Sequence, residues 1–185
     1  MRERKRVYIL LADGFEVIEA LAPIDVMFRA GVDVVKVAVG GSLDVMSSHA
    51  LATLHCDTHI EECDFAQCDA LILPGGNPGY VNLRSNTDVL DAVRRAYDSG
   101  KIVAAICGAP TVLSAAGIAR QRSLTCHSTV IEEMGDYRYV GGNVVEDGNL
   151  ITAAGAGVSV EFALAVAARL VDSDTLSRTR RGMEV

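Results

Sequence analysis

Four strand-length stretches of this chain are almost wholly apolar: "RVYILLA" from Arg6 to Ala12, "VDVVKVAVG" from Val32, "DALIL" from Asp69 and "KIVAAI" from Lys101. A strand with one wet face alternates polar and apolar residues, so continuous apolar runs demand cover on both faces. The cover is encoded between them. "DGFEVIEALAPIDVMFRAG" places Val17, Ile18, Leu21, Ile24 and Phe28 at helical spacing and stops at Gly31. "NTDVLDAVRRAYDSG" is an amphipathic helix closed by Gly100, "GAPTVLSAAG" a shorter helix, and "VSVEFALAVAARLV" a strongly apolar final one. This alternation predicts an α/β fold, a doubly wound and mostly parallel sheet between two layers of helices. Residues 42–68 are less regular, "SLTCH" reads as another short strand, and "RYVGGNVVEDGNLITAAG" as a hairpin leading to a last core strand. With no repeat and no linker, residues 1–185 read as a single domain, with 1–5 and 174–185 peripheral or frayed.

The formal net charge is -7, and the basic clusters "RERKR" and "RTRR" are terminal, so no basic face is offered to nucleic acid or to an anionic membrane. No run is long and apolar enough to span a bilayer. The first apolar stretch stops at Ala12 and meets Asp13, too short for a signal peptide, and a cytoplasmic protein is expected. Five scattered cysteines, an odd number, argue against a disulfide framework and leave free thiols, a metal site or a reactive cysteine.

In a doubly wound sheet, ligands meet the carboxyl ends of the strands. Five positions follow: after Ala12, Leu73, Ile106, Thr125 and Ala153. Cys107 comes directly after Ile106, with Ala105, Gly108 and Ala109 around it. Small neighbours suit a nucleophile on a sharp strand-to-helix turn, and a helix N-terminus beside the thiol favours the thiolate. A small buried packing cysteine is the alternative. After Ala12, Asp13 and Glu16 have capping-box spacing, which accounts for Glu16. Glu19, one turn further in, reads either as a solvated helix position or as a partly buried carboxyl near Cys107, kept protonated and able to donate or to shuttle a proton. "PGGNPG" after Leu73 is either a plain turn or a place where backbone N–H groups meet a developing oxyanion. His127 at the end of "SLTCH" is either an ordinary polar residue or a base for a nearby thiol. His49, His55, Cys56, His59, Cys63 and Cys68 are metal-ligand types, but their spacing matches no paired zinc motif.

Taken together, "LPGGNPG", "AAICGAP" and "CHSTVIE", with "LADGFEVIEALAPIDVMFRAG" before and "VSVEFALAVAARL" after, resemble the ThiJ/PfpI superfamily, in the branch of the Parkinson-associated protein deglycase and its bacterial relatives. The resemblance runs over nearly the whole chain in order. It implies a flavodoxin-like sandwich and a homodimer. It makes Cys107 the reactive elbow cysteine, Glu19 the carboxyl beside it, Glu16 a neighbouring acidic position and His127 the nearby histidine. Gly76 and Gly108 fall where N–H groups face the reacting oxygen, and Arg29 where an arginine approaches the histidine region from the partner subunit. The protease-like branch carries a histidine directly after the cysteine; Gly108 stands there instead, which disfavours a protease. No late His-x-Glu pair of the amidotransferase kind is present. The order Gly108-Ala109-Pro110, where some relatives have Ala-Gly-Pro, implies a slightly altered pocket and the same role for the cysteine. The resemblance thus leads to a cofactor-independent enzyme acting on small dicarbonyls such as methylglyoxal or glyoxal. Its rival is an oxidative-stress sensor or chaperone working through oxidation of Cys107.

Overall fold

The first apolar run forms β1 (Arg6–Ala12) in the computed structural model of the protein, which describes residues 4–185. Its alternate residues go to opposite faces. Val7, Ile9 and Leu11 join one buried cluster, and Tyr8, Leu10 and Ala12 join another. This is what an apolar run with no polar alternation requires. After β1 the chain forms α1 (Val17–Arg29), β2 (Asp33–Val39), the short strands β3 (Asp44–Met46), β4 (Thr53–His55) and β5 (Thr58–His59), and then β6 (Ala70–Leu73). There follow α2 (Gly79–Ser85), α3 (Thr87–Asp98), β7 (Ile102–Ile106), α4 (Pro110–Ala116), β8 (Ser123–Leu124), β9 (Arg138–Tyr139), β10 (Val144–Asp147), β11 (Leu150–Ala153), α5 (Ser159–Ala168) and α6 (Ser173–Gly182).

The main sheet runs β10-β11-β7-β6-β1-β2-β5, parallel except for the antiparallel β10–β11 edge. Helices α1 and α5 pack against each other and cover one face; α2, α3 and α4 cover the other. Strand order reverses between β1 and β6, so the segments after Ala12 and Leu73 diverge there and leave a crevice. The next strand, β7, ends beside it, because Leu73 is in register with Ala105.

Two stretches differ from the expectation. "SLTCH" does not join the main sheet: β8 is two residues long and pairs with β9 in a small separate sheet. The edge beyond β11 is already taken by β10, so no ladder is free for it. Of the stretch 174–185, expected to be peripheral or frayed, residues 174–182 are ordered. They belong to α6, with Asp172 capping the N-terminus through Thr175 and with Thr179 as its buried side chain. At the other end, residues 1–3 lie outside the described residues, while Lys5 is tied to Asp69 at 2.9 Å. Among the described residues, no helix is long and apolar enough to cross a membrane.

Candidate active site at the cysteine elbow

Cys107 has φ +65°, left-handed backbone that costs an L-residue about 1–2 kcal/mol. Two long-range bonds hold it there. Its N–H donates to Ala153 O at 2.9 Å, and its carbonyl accepts from His127 N at 2.8 Å. The surrounding structure thus holds a strained strand-to-helix elbow with Cys107 at its apex. The thiol is half-buried.

Glu19 is fully buried. Gly75 explains how it reaches the thiol: a Cβ there would lie 2.6 Å from Glu19 Oε2 and 2.7 Å from Cys107 Cβ. Only glycine lets the loop after β6 pass between helix α1 and the elbow. Oε2 accepts the Gly75 N–H at 2.8 Å, and Oε1 has no partner. Burial, partly offset by hydrogen bonds with Cys107 and Gly75, pushes the Glu19 carboxyl up to about 7. The helix N-terminus was expected to make the thiol acidic, and here the structure differs. Burial first, and then the neighbouring Glu19 carboxylate, push Cys107 up to about 12. The N–H groups of Gly108 and Gly76 face the sulfur and pull the other way. Helix α4 begins only at Pro110 and is short, so its dipole adds little. With Glu19 protonated, both of its contributions reverse: repulsion vanishes and the carboxyl donates to sulfur.

Glu16 is the N-cap of α1, its carboxylate accepting Glu19 N at 2.8 Å. This corrects the capping assignment. Asp13 sits further out and instead accepts Met46 N at 2.8 Å. The effect of Glu16 on the site is to fix the backbone of Glu19. Gly76, at φ +91°, is needed for close approach to the chain itself, since a Cβ there would lie 2.3 Å from Glu16 N and 2.4 Å from Gly14 O. His127 is exposed. Its Nδ1 accepts the Thr129 amide at 3.3 Å and contacts Thr129 Oγ1 at 2.9 Å, capping the 3-10 segment Ser128–Met134. A neutral ring held this way carries its proton on Nε2. Arg29 is not in the site of its own chain. It lies ten residues beyond Glu19 on α1, roughly 15 Å along the helix, paired with Asp25 at 2.7 Å.

The DJ-1/PfpI family pattern matches residues 5–169. The chain belongs to the DJ-1/PfpI family. Protein dj-1beta of Drosophila melanogaster is 34% identical over 183 residues, covering 98% of this chain and 97% of the relative. Its crystal structure superposes with a TM-score of 0.95 over 99% of each chain. A crystal structure of a cysteine-to-alanine mutant of a DJ-1 superfamily protein from Salmonella typhimurium gives 0.93 at 35% identity, over 97% and 98% of the two chains. A Caenorhabditis elegans relative named glutathione-independent glyoxalase DJR-1.2 is 34% identical over 90% of this chain and 89% of its own.

The metal alternative finds no support in the fold of this DJ-1/PfpI chain. β4 and β5 belong to different sheets, so His55 and His59 do not share a face. His55 pairs with Asp44, Cys56 is buried, and no group of three ligand types comes together among the described residues. Helix α2 has no counterpart among the sequence-based expectations. It follows "PGGNP" directly and carries Tyr80, whose ring packs on Gly108. The only hint in the sequence was glycine standing after the cysteine.

Proposed function

We propose that the protein is a cofactor-independent, cysteine-dependent glyoxalase or deglycase-type enzyme acting on methylglyoxal or glyoxal. The observation that carries this reading is a displayed thiol facing two backbone N–H groups and a buried carboxyl poised to titrate near neutrality. The name of the Caenorhabditis elegans relative points the same way. As Glu19 and Cys107 share one proton, the thiolate adds to the aldehyde carbon and the carbonyl oxygen becomes a hemithioacetal oxyanion. The N–H groups of Gly76 and Gly108 receive that oxygen. Glu19 gives the shared proton to that oxyanion and, now ionised in a dry site, removes the proton from the former aldehyde carbon and returns it to the neighbouring carbon, while the hydroxyl proton passes to the neighbouring carbonyl oxygen. The product is a thioester of the hydroxy acid. Water cleaves it to lactate from methylglyoxal, or glycolate from glyoxal, and the thiol is regenerated. The Nε2–H of His127 donates to a substrate oxygen, while the base work falls to Glu19.

One structural fact also suits the redox reading. Glu19 Oε1 is buried without a hydrogen-bond partner, and a proton on it has only the Cys107 sulfur to turn toward. Oxidation of the thiolate by two equivalents of peroxide gives a sulfinate and two waters, and a sulfinate oxygen would accept that proton. The two readings part on turnover. In a cofactor-free assay, the wild type is expected to convert methylglyoxal to lactate, Cys107→Ser to lose all measurable turnover, and His127→Ala to keep a fraction. Equal rates in wild type and Cys107→Ser would reject the enzyme. Peroxide oxidation of Cys107 that is unchanged in His127→Ala, in a protein without turnover, would favour the sensor.

A homodimer belongs to the same proposal. Ile18, Leu21 and Phe28 are exposed on α1, an apolar row that a second copy would cover, and in such a pair the partner's Arg29 would approach His127. Light scattering should return the mass of two chains; the mass of one chain would count against it.

A further inference from the structure

Glycine at position 108 answers to a neighbour rather than to the thiol. A Cβ built on Gly108 would sit 2.6, 2.7 and 2.8 Å from Cδ1, Cε1 and Cγ of Tyr80, so the ring lies directly against the Gly108 backbone. Tyr80 also touches the second N–H donor's residue, because its own amide donates to the Gly76 carbonyl at 2.9 Å. One residue thus contacts both segments that face the sulfur. The ring is not free to swing away. It packs against the core cluster on the α3/α4 side and against the small cluster of Leu124, Cys126, Val130 and Met134. Arg84, one turn further along α2, stands 5.5 Å from the ring centroid and pairs with Glu133 of the Ser128–Met134 segment. That segment is the one His127 caps.

We propose that Tyr80 is a specificity-determining residue whose ring walls the space beside the Cys107 sulfur and admits only small aldehydes. The substrate class rests on the function proposed above; the wall itself governs access to the thiol and is readable without turnover. An aldehyde adding to sulfur must turn its oxygen toward the N–H groups of Gly76 and Gly108. Its substituent is then held next to those same segments, where Tyr80 stands. A hydrogen or methyl group fits beside a fixed ring, and an aryl group does not.

The test compares Cys107 alkylation by N-phenylmaleimide and by iodoacetamide, followed on the Cys107 peptide by mass spectrometry, in wild type, Tyr80→Ala and Tyr80→Phe. The same proteins are assayed on phenylglyoxal and methylglyoxal. Tyr80→Ala is expected to raise the bulky-to-small ratio roughly tenfold in both assays, while Tyr80→Phe, which keeps the ring, stays at the wild-type ratio. A flat ratio in folded Tyr80→Ala overturns the wall. If Tyr80→Ala does not fold, Tyr80→Leu keeps apolar bulk against both clusters without the ring, and its ratio decides in the same way. A raised alkylation ratio with no dicarbonyl turnover by any variant upholds the wall and rejects the glyoxalase. A flat alkylation ratio with methylglyoxal turnover rejects the wall alone.

Discussion

Glu19→Gln is expected to be more stable than the wild type at pH 8 and close to inactive. Its folded carboxyl is raised from 4.5 to about 7, chiefly by burial. Below pH 4.5 the group is neutral in both folded and unfolded chains and contributes no difference. Between 4.5 and 7 the unfolded chain releases this proton first, so stability falls as pH rises, and above 7 the loss is complete at about 3 kcal/mol. Glutamine is neutral throughout and removes that slope. Its side-chain oxygen can still accept the Gly75 N–H, and its amide N–H₂ occupies the place of the unpartnered oxygen. Urea unfolding at pH 4 and pH 8 checks this: the two proteins should match at pH 4 and separate at pH 8, and coincident curves at both would refute it. The catalytic cost runs the opposite way. Without a group that can take and return a proton, kcat/KM should fall about 10²–10⁴-fold. Stability gained by losing function is the expected signature of a carboxyl kept buried for chemistry.

The second large effect is structural. Gly76→Ala drives a Cβ to 2.3 Å from Glu16 N, 2.4 Å from Gly14 O and 2.6 Å from Phe15 C. All three are backbone atoms at the entry to α1, and none can rotate aside. Overpacking adds to the cost of φ +91°, for a loss of about 3 kcal/mol or more. Gly100→Ala is the control, since φ there is +71° but no atom lies within 4 Å of the new Cβ. It should cost only about 1–2 kcal/mol. Equal urea midpoints for the two variants would show that the close approach is not what the glycine serves. Activity should drop further in Gly76→Ala, because one N–H facing the sulfur moves with the loop.

The long apolar runs made the sheet legible in the sequence, because burial on both faces leaves no room for polar alternation. Cys107 was legible for a similar reason: a strained turn tolerates only small neighbours. Glu19 was half legible. Its place one turn into α1 was clear, but full burial depends on Gly75 letting another loop pass beside it, and no periodicity carries that. The acidity of Cys107 was misjudged because a local rule about helix N-termini met burial of the thiol and, after it, a tertiary carboxylate. Helix α2 escaped notice because seven residues after a glycine-rich turn are too few to show a period. Tyr80 carried no signal in the sequence, because its contact with Gly108 is made only in the fold. "SLTCH" does yield a short strand, β8, but outside the main sheet, whose edge beyond β11 is taken by β10.

The two bonds that hold the elbow also set an order of events during synthesis. The amide of Cys107 waits for Ala153, and its carbonyl waits for His127. Both partners leave the ribosome after the cysteine does. A nascent chain that has not yet reached Ala153 therefore carries an ordinary thiol on a relaxed backbone. The elbow can take its strained form only once the His127 segment and the end of β11 are in place.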